Sequence, residues 1–221
     1  MTDRASAGAD PRGTAEQRRG QMLAAALEVM SERGFADTRI ADVAVRAGVS
    51  PALVIYYFKT KDLLLTEAIR HYDDAWYAVG RRRMAALPTA ALRLEEMVAM
   101  NCLPEADPEP AGGWQLWLDF WAQAARSDEV AAVRRKSDER WRDEIANLVL
   151  AGQAAGEFRE VDPAGFAVCL AALLDGLTVQ IALADPAVDP VGAFDLSMQF
   201  VSERLGFAWT PGRGRGGRTE A

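Results

Sequence analysis

The sequence predicts an all-α protein of about nine helices, a small three-helix head at the N-terminus followed by a larger helical bundle. Three observations carry this prediction. Apolar residues recur at spacings of three and four, the strict alternation of a half-buried strand is absent, and Gly, Pro, Asp and Ser gather where helices would end. At 221 residues, half of them hydrophobic, the chain is long enough to bury a full core and lies between one large domain and two modest ones.

The first helix is expected from Ala15 to Arg33, with Met22, Leu23, Ala26, Leu27 and Met30 on one face and a stop at Gly34. Thr38 is read as the cap of a short helix through Arg46, which Gly48 ends. Ser50 caps the next, with Pro51 at the first helical position, where its missing N–H costs nothing. Thr60 caps a fourth helix from Lys61 to about Arg83. Five more follow over 89–102, 112–126, 128–155, 163–184 and 190–206, separated by Pro104 to Gly113, by Gly152 to Gly156 with Asp162 and Pro163, and by Asp185 to Pro190. Residues 1–14 and 210–221 are rich in Gly, Arg and Pro without periodicity and are expected to be disordered.

The net charge of −7 argues against a protein that coats nucleic acid or lies on an anionic membrane. Its distribution is uneven: residues 1–61 carry about +2 and the rest about −9. The two cysteines, Cys102 and Cys169, lie far apart in apolar helical patterns, so neither a disulfide framework nor a CxxC metal motif is on offer. The N-terminal residues contain no apolar signal region, and no run reaches the roughly 18 consecutive apolar residues of a membrane span. A soluble, cytoplasmic chain is expected. No G-x-S-x-G, P-loop, GxGxxG or HExxH pattern occurs, and the single histidine, His71, has no cysteine near it, so an enzyme is disfavoured and no cofactor or metal is expected. Glu95 with Glu96 and Asp73 with Asp74 point apart on a helix and read as solvated charge.

In Thr38 to Phe58, two short helices are joined by a tight turn at Ala47, Gly48 and Val49. Gly48 supplies the left-handed backbone of that turn, and Ile40, Val43, Ala44, Val49, Leu53 and Val54 can close a small core against the first helix. Such a helix-turn-helix presents its second helix to a DNA major groove. The stretch RRGQMLAAALEVMSERGFADTRIADVAVRAGVSPALVIYYFKTKDLLLTEAI resembles the DNA-binding head of the TetR family of transcriptional regulators in spacing, turn glycine, aromatic pair and following lysine. The resemblance implies that the helix beginning at Ser50 is the recognition helix and that Lys61 binds a backbone phosphate. Helix N-termini at Thr38, Ser50 and Lys61 suit phosphate oxygens. Tyr56 and Tyr57 can reach phosphates or base edges. Where many members carry Tyr this chain has Ile55, and Ala52 replaces a frequent glycine. The recognition helix holds no Arg, Lys, Asn or Gln, so readout is expected to use Ser50, Pro51, Ala52, the tyrosines, DNA shape and Arg39 or Arg46 nearby. Arg12, Arg18 and Arg19 read as a solvated basic leader.

Behind the head, Trp114, Trp117 and Trp121 lie three and four apart with Leu118 and Phe120 beside them, and Trp141 follows on the next helix. Such rings wall a pocket for a cation or form core, with Asp119 and Gln115 adding polarity at its rim. Phe166, Leu170, Leu173, Leu177 and Ile181 form one late seam, and Val191, Phe194, Met198, Val201 and Leu205 another. Both seams fit a two-fold dimer interface or the body's own core. The body, with LLDGLTVQIAL at 173–183, looks like the choline-responsive (BetI-like) subgroup of the family, and the family resemblance implies dimerisation through the last two helices. The expected organisation is a disordered arm over 1–14, a helix-turn-helix DNA-binding domain over 15–61, a ligand-binding and dimerisation domain over 62–209 and a disordered tail over 210–221. The expected function is a homodimeric repressor released from a near-palindromic double-stranded DNA operator by a small-molecule inducer, the alternatives being a ligand-independent regulator or a helical adaptor.

Overall fold

The computed structural model describes residues 11–103 and 113–211, and among these all regular structure is helical. The helices are α1 (Pro11–Asp37), α2 (Ile40–Arg46), α3 (Pro51–Phe58), α4 (Lys61–Ala85), α5 (Ala90–Cys102), α6 (Gly113–Ala124), α7 (Asp128–Ala154), α8 (Pro163–Ala182) and α9 (Pro190–Leu205). Most begin on the local chemistry the sequence announces. Ser50, Thr60, Thr89, Asp162 and Asp189 each accept a backbone N–H from the first turn that follows, and Pro51, Pro163 and Pro190 stand where a helix N–H would be unpaired anyway. The first helix starts at Pro11, four residues ahead of expectation, because the fixed φ of proline suits an opening turn. The remainder of the expected arm, residues 1–10, and the tail from 212 lie outside the described residues.

The chain divides into two compact units, one of residues 1–73 with 109–131 and one of 74–108 with 132–221. The first unit therefore takes in α6 along with the head, whereas a boundary at residues 61 and 62 was expected. Its core joins Met22, Leu23, Ala26, Leu27 and Met30 of α1 to Val43 and Ala44 of α2, Val54 and Phe58 of α3, Leu64, Leu65, Ala68 and Ile69 of α4, and Leu116 and Phe120 of α6. The second unit centres on α5, α8 and α9, with Ile145 and Val149 of α7 and with Phe158. Among the described residues α8 is the one single helix long and apolar enough to cross a membrane, yet Phe166, Leu170, Leu174 and Leu177 along it are the middle of this core.

Gly34 interrupts α1 at φ 80° and ψ 164°, a backbone conformation essentially confined to glycine. Asp119 of α6 seals the break: its carboxylate accepts the N–H of Phe35 at 3.3 Å, and a Cβ on Gly34 would stand 2.8 Å from the same oxygen. Asp119 is thus a latch between α6 and α1 rather than a polar rim on a pocket. A Gly34→Ala variant combines backbone strain with that collision, so it is expected to lose about 1–3 kcal/mol of stability. Thermal unfolding followed by circular dichroism should show the midpoint several degrees lower.

Candidate nucleic-acid interface

The chain turns through 111° between α2 and α3, within the range of helix-turn-helix units. Gly48 makes the turn at φ 66°, with nothing near the place a Cβ would occupy, and the N–H of Val49 closes onto the carbonyl of Ala44 at 2.9 Å. Val54 and Phe58 anchor α3 inward while Pro51, Ala52, Ile55 and Tyr56 face out, Tyr56 with 70% of its surface exposed. Tyr57 is half-buried, its ring edge-on to that of Tyr56 at 5.6 Å. From Val43 to Lys61 there is no acidic residue, so this outward face carries no charge that repels phosphate. Ser50 is exposed at its N-terminal edge and caps the helix through the N–H of Leu53 at 3.2 Å.

The surrounding cations have different tasks. Lys61 opens α4, and its ammonium donates to the carbonyl of Ala36 at 2.6 Å, tying that end of α4 to the end of α1. Arg39 is the exposed N-cap residue of α2 and, with Arg33 and Asp37, lines a shallow depression of about 410 Å³. Arg33 pairs with Asp42 at 3.3 Å. Arg46, expected to be available for bases, is bound instead by Glu28 at 2.9 Å and Glu32 at 2.8 Å of α1. It fastens α2 to α1, and those carboxylates raise its pKa further. Arg18 and Arg19 belong to α1 rather than to a free leader, and Arg19 pairs with Glu67 and lies 5.4 Å from the Phe58 ring centroid.

Thr38 departs most from expectation. It is fully buried, its hydroxyl donates to the carbonyl of Gly34 at 2.7 Å, and α2 begins after Arg39 without a side-chain cap. The carbonyl of Gly34 accepts the N–H of Thr38 at 3.2 Å as well, so the buried hydroxyl finds its own acceptor one helical turn back, at the kink. Sequence reasoning passed over Lys59, which closes α3 with φ 65° and sets its ammonium 2.8 Å from the carbonyl of Tyr56 and 5.2 Å from its ring centroid. The available signal was a lysine where a helix end favours glycine.

The aromatic residues of the body fall into separate groups. On α6, in the first unit, Trp117 meets the buried Phe120 at 5.7 Å and Trp114 meets Trp121 at 6.3 Å. Trp141 belongs to the second unit, 5.6 Å from Trp76, which is 5.1 Å from Tyr77. Arg140 covers the Tyr77 ring at 3.9 Å and pairs with Asp74 at 2.6 Å, while Asp73 is buried rather than solvated. The late seams are core apart from Val191, which is exposed: Phe166, Leu170, Leu177, Phe194, Met198, Val201 and Leu205 are buried within the second unit, and Leu173 and Ile181 pack at its edge. A full seam at three and four is what a helix needs to fill its own bundle, which is why the pattern could not separate the two uses. Asp175 of α8 has its pKa pushed up to about 6 by burial and then by the charge of Asp138, with Arg134 and Arg142 opposing. Burial raises Asp138 as well, against Arg134 and Arg142. A carboxyl whose folded-state pKa exceeds its unfolded value is stabilising when protonated, and that stability is lost as pH rises from 3.8 to about 6. Asp175→Asn should therefore raise the melting temperature at neutral pH, and the gain over wild type should shrink as pH falls through that window in a pH series of melts.

The family model described as "Bacterial regulatory proteins, tetR family" matches residues 22–68, and the one described as "BetI-type transcriptional repressor, C-terminal" matches residues 90–206, more than half of the chain. The HTH-type transcriptional regulator BetI of Burkholderia mallei (strain NCTC 10229) is 32% identical over 194 residues, 87% of this chain and 96% of the relative. BetI of Escherichia coli O45:K1 (strain S88 / ExPEC) is 32% identical over 190 residues, 85% of this chain and 94% of the relative. Among solved structures, a putative TetR-family transcriptional regulator from Rhodococcus sp. superposes with a TM-score of 0.77 at 26% identity, covering 86% of this chain and 99% of the other. A putative transcriptional regulator from Saccharomonospora viridis in complex with choline gives a TM-score of 0.76 at 24% identity, covering 86% and 98%. The chain belongs to the tetR family of bacterial transcriptional regulators, with a BetI-type repressor region behind its helix-turn-helix, and is not an enzyme.

Proposed function

We propose that the protein acts in the cytoplasm as a homodimeric repressor that holds a near-palindromic operator and lets go when its body takes up a small organic cation. The observation that carries this reading is the acid-free outer face of α3, set at 111° to α2 and flanked by Ser50, Arg39 and Lys61. In it, Ser50, Pro51, Ala52, Tyr56 and Tyr57 meet the major groove, and Arg39 and Lys61 meet phosphates on its rims. Lys61 can turn its remaining ammonium hydrogens to a phosphate while keeping Ala36. Thr38 contributes by holding the kink beneath α2.

Pairing of two copies is supported by the outward sides of α8 and α9, where Val168, Leu183, Val191 and Leu196 are exposed. A two-fold pair would set two heads against two half-sites. The cation is supported by the second unit's rings Trp76, Tyr77 and Trp141 and by the carboxyls Asp138 and Asp175. Ring faces attract a quaternary ammonium, and a positive charge would favour an ionised Asp175. The choline held by the Saccharomonospora regulator is a cation of this class. Release then requires only that the cation favour one of two head spacings.

The test is selection of bound duplexes from random DNA by the purified protein, followed by choline added to the selected complex. A recovered inverted repeat that choline releases is expected. With no enriched sequence from folded, dimeric protein, the helical-adaptor alternative stands, and an operator indifferent to choline removes the cation. Lys61→Ala should weaken binding to all duplexes alike and lower the salt dependence by about one phosphate contact. Tyr56→Ala should alter which sequences are recovered, read by repeating the selection.

A further inference from the structure

Lys59 occupies a place in the backbone that a lysine has no conformational reason to hold. Its φ of 65° and ψ of −56°, with the N–H of Thr60 bonded to the carbonyl of Phe58 at 2.7 Å, define a γ-turn of the positive-φ kind, which is rare and strained. Among the described non-glycine residues only Lys59 and Ala184 have positive φ. Glycine would adopt this conformation without steric cost. A strained residue at a functional surface points to a use for its side chain.

The position of that side chain says what the use is. Residues 52, 55, 56 and 59 follow one another along the outward side of α3 and past its end, and Lys59 is exposed. Its stem folds back so that the ammonium sits against the Tyr56 ring, 5.2 Å from the centroid, and donates to the Tyr56 carbonyl at 2.8 Å. Of the nearby cations, Arg46 is engaged with Glu28 and Glu32, and Lys61 and Arg39 stand at the N-termini of α4 and α2, off the outward face of α3. The helix itself holds none of the side chains that bond to base edges in pairs.

We infer that Lys59 is a specificity-determining residue of the head: in the groove its ammonium exchanges the Tyr56 carbonyl for the O6 and N7 acceptors of a guanine, and keeps its contact with the Tyr56 ring. The exchange replaces one hydrogen bond donated by the ammonium with others that it donates, so no buried charge is stranded. The turn at residue 59 brings the lysine to the reading face instead of the flank where Lys61 stands. This rests on the reading of α3 as the helix that enters the groove.

The test compares full-length wild type with Lys59→Gly, which relaxes the turn, and Lys59→Met, which keeps the stem and removes the charge. Selections from random duplexes and salt titrations on the recovered operator are run for each, with thermal melts as a control. Lys59→Gly is expected to melt no lower than wild type. Both variants should lose preference at one guanine position per half-site, roughly tenfold in discrimination, while a duplex changed at that position binds as before. Unchanged preference in both variants overturns the inference. A loss uniform across sequences, with a shallower salt dependence, overturns it too and makes Lys59 a phosphate contact. Should Tyr56→Ala and Lys61→Ala also leave binding untouched, the reading of α3 itself has failed, a result distinct from a failure of Lys59 alone.

Discussion

An eight-residue helix does not hold together in water by itself, and α3 is eight residues long. Its existence depends on Val54 and Phe58 being buried in the core of the first unit, on its packing against α2, and on Ser50 at one end and the Lys59 turn at the other. The outward face is free to be chosen for DNA because these inward contacts already fix the helix. The same dependence reaches α2, which has no side-chain cap and is fastened through Arg46 to Glu28 and Glu32. The first helix is thus the base for α2, and α3 is mounted in turn on α2.

That base is kinked, and the kink ties the head to residues far along the chain. Gly34 breaks α1, Thr38 bonds its carbonyl through both N–H and hydroxyl, and Asp119 takes the N–H of Phe35. Asp119 lies on α6, inside the stretch that matches the BetI-type C-terminal region. A helix counted with the regulatory region by sequence therefore supports the reading head by contact. The head's geometry is in this way sensitive to α6 as well as to the continuous α4.

Much of this was legible beforehand, for reasons that differ by feature. Ser50 with Pro51, Gly48 and the α1 face from Met22 to Met30 are local signals, set by backbone chemistry and helical period, and they hold in the structure. Thr38 and Arg46 misled for different reasons: the Thr38 hydroxyl turns back onto the carbonyl of Gly34 instead of capping α2, and Arg46 is held by two glutamates on another helix. The seams of α8 and α9 were visible, but a period of three and four marks a buried face without saying which neighbour buries it. Lys59 escaped notice since its one signal in the sequence, a lysine where a helix end favours glycine, is weak until the dihedral angle is seen.

Two copies reading DNA through α3, held on α2, are tested by a hydroxyl-radical footprint of the full-length protein on its selected operator. Two protected patches related by a dyad are expected, with centres roughly 34–36 Å apart or a multiple of that. One continuous or unsymmetrical protected stretch would contradict this arrangement.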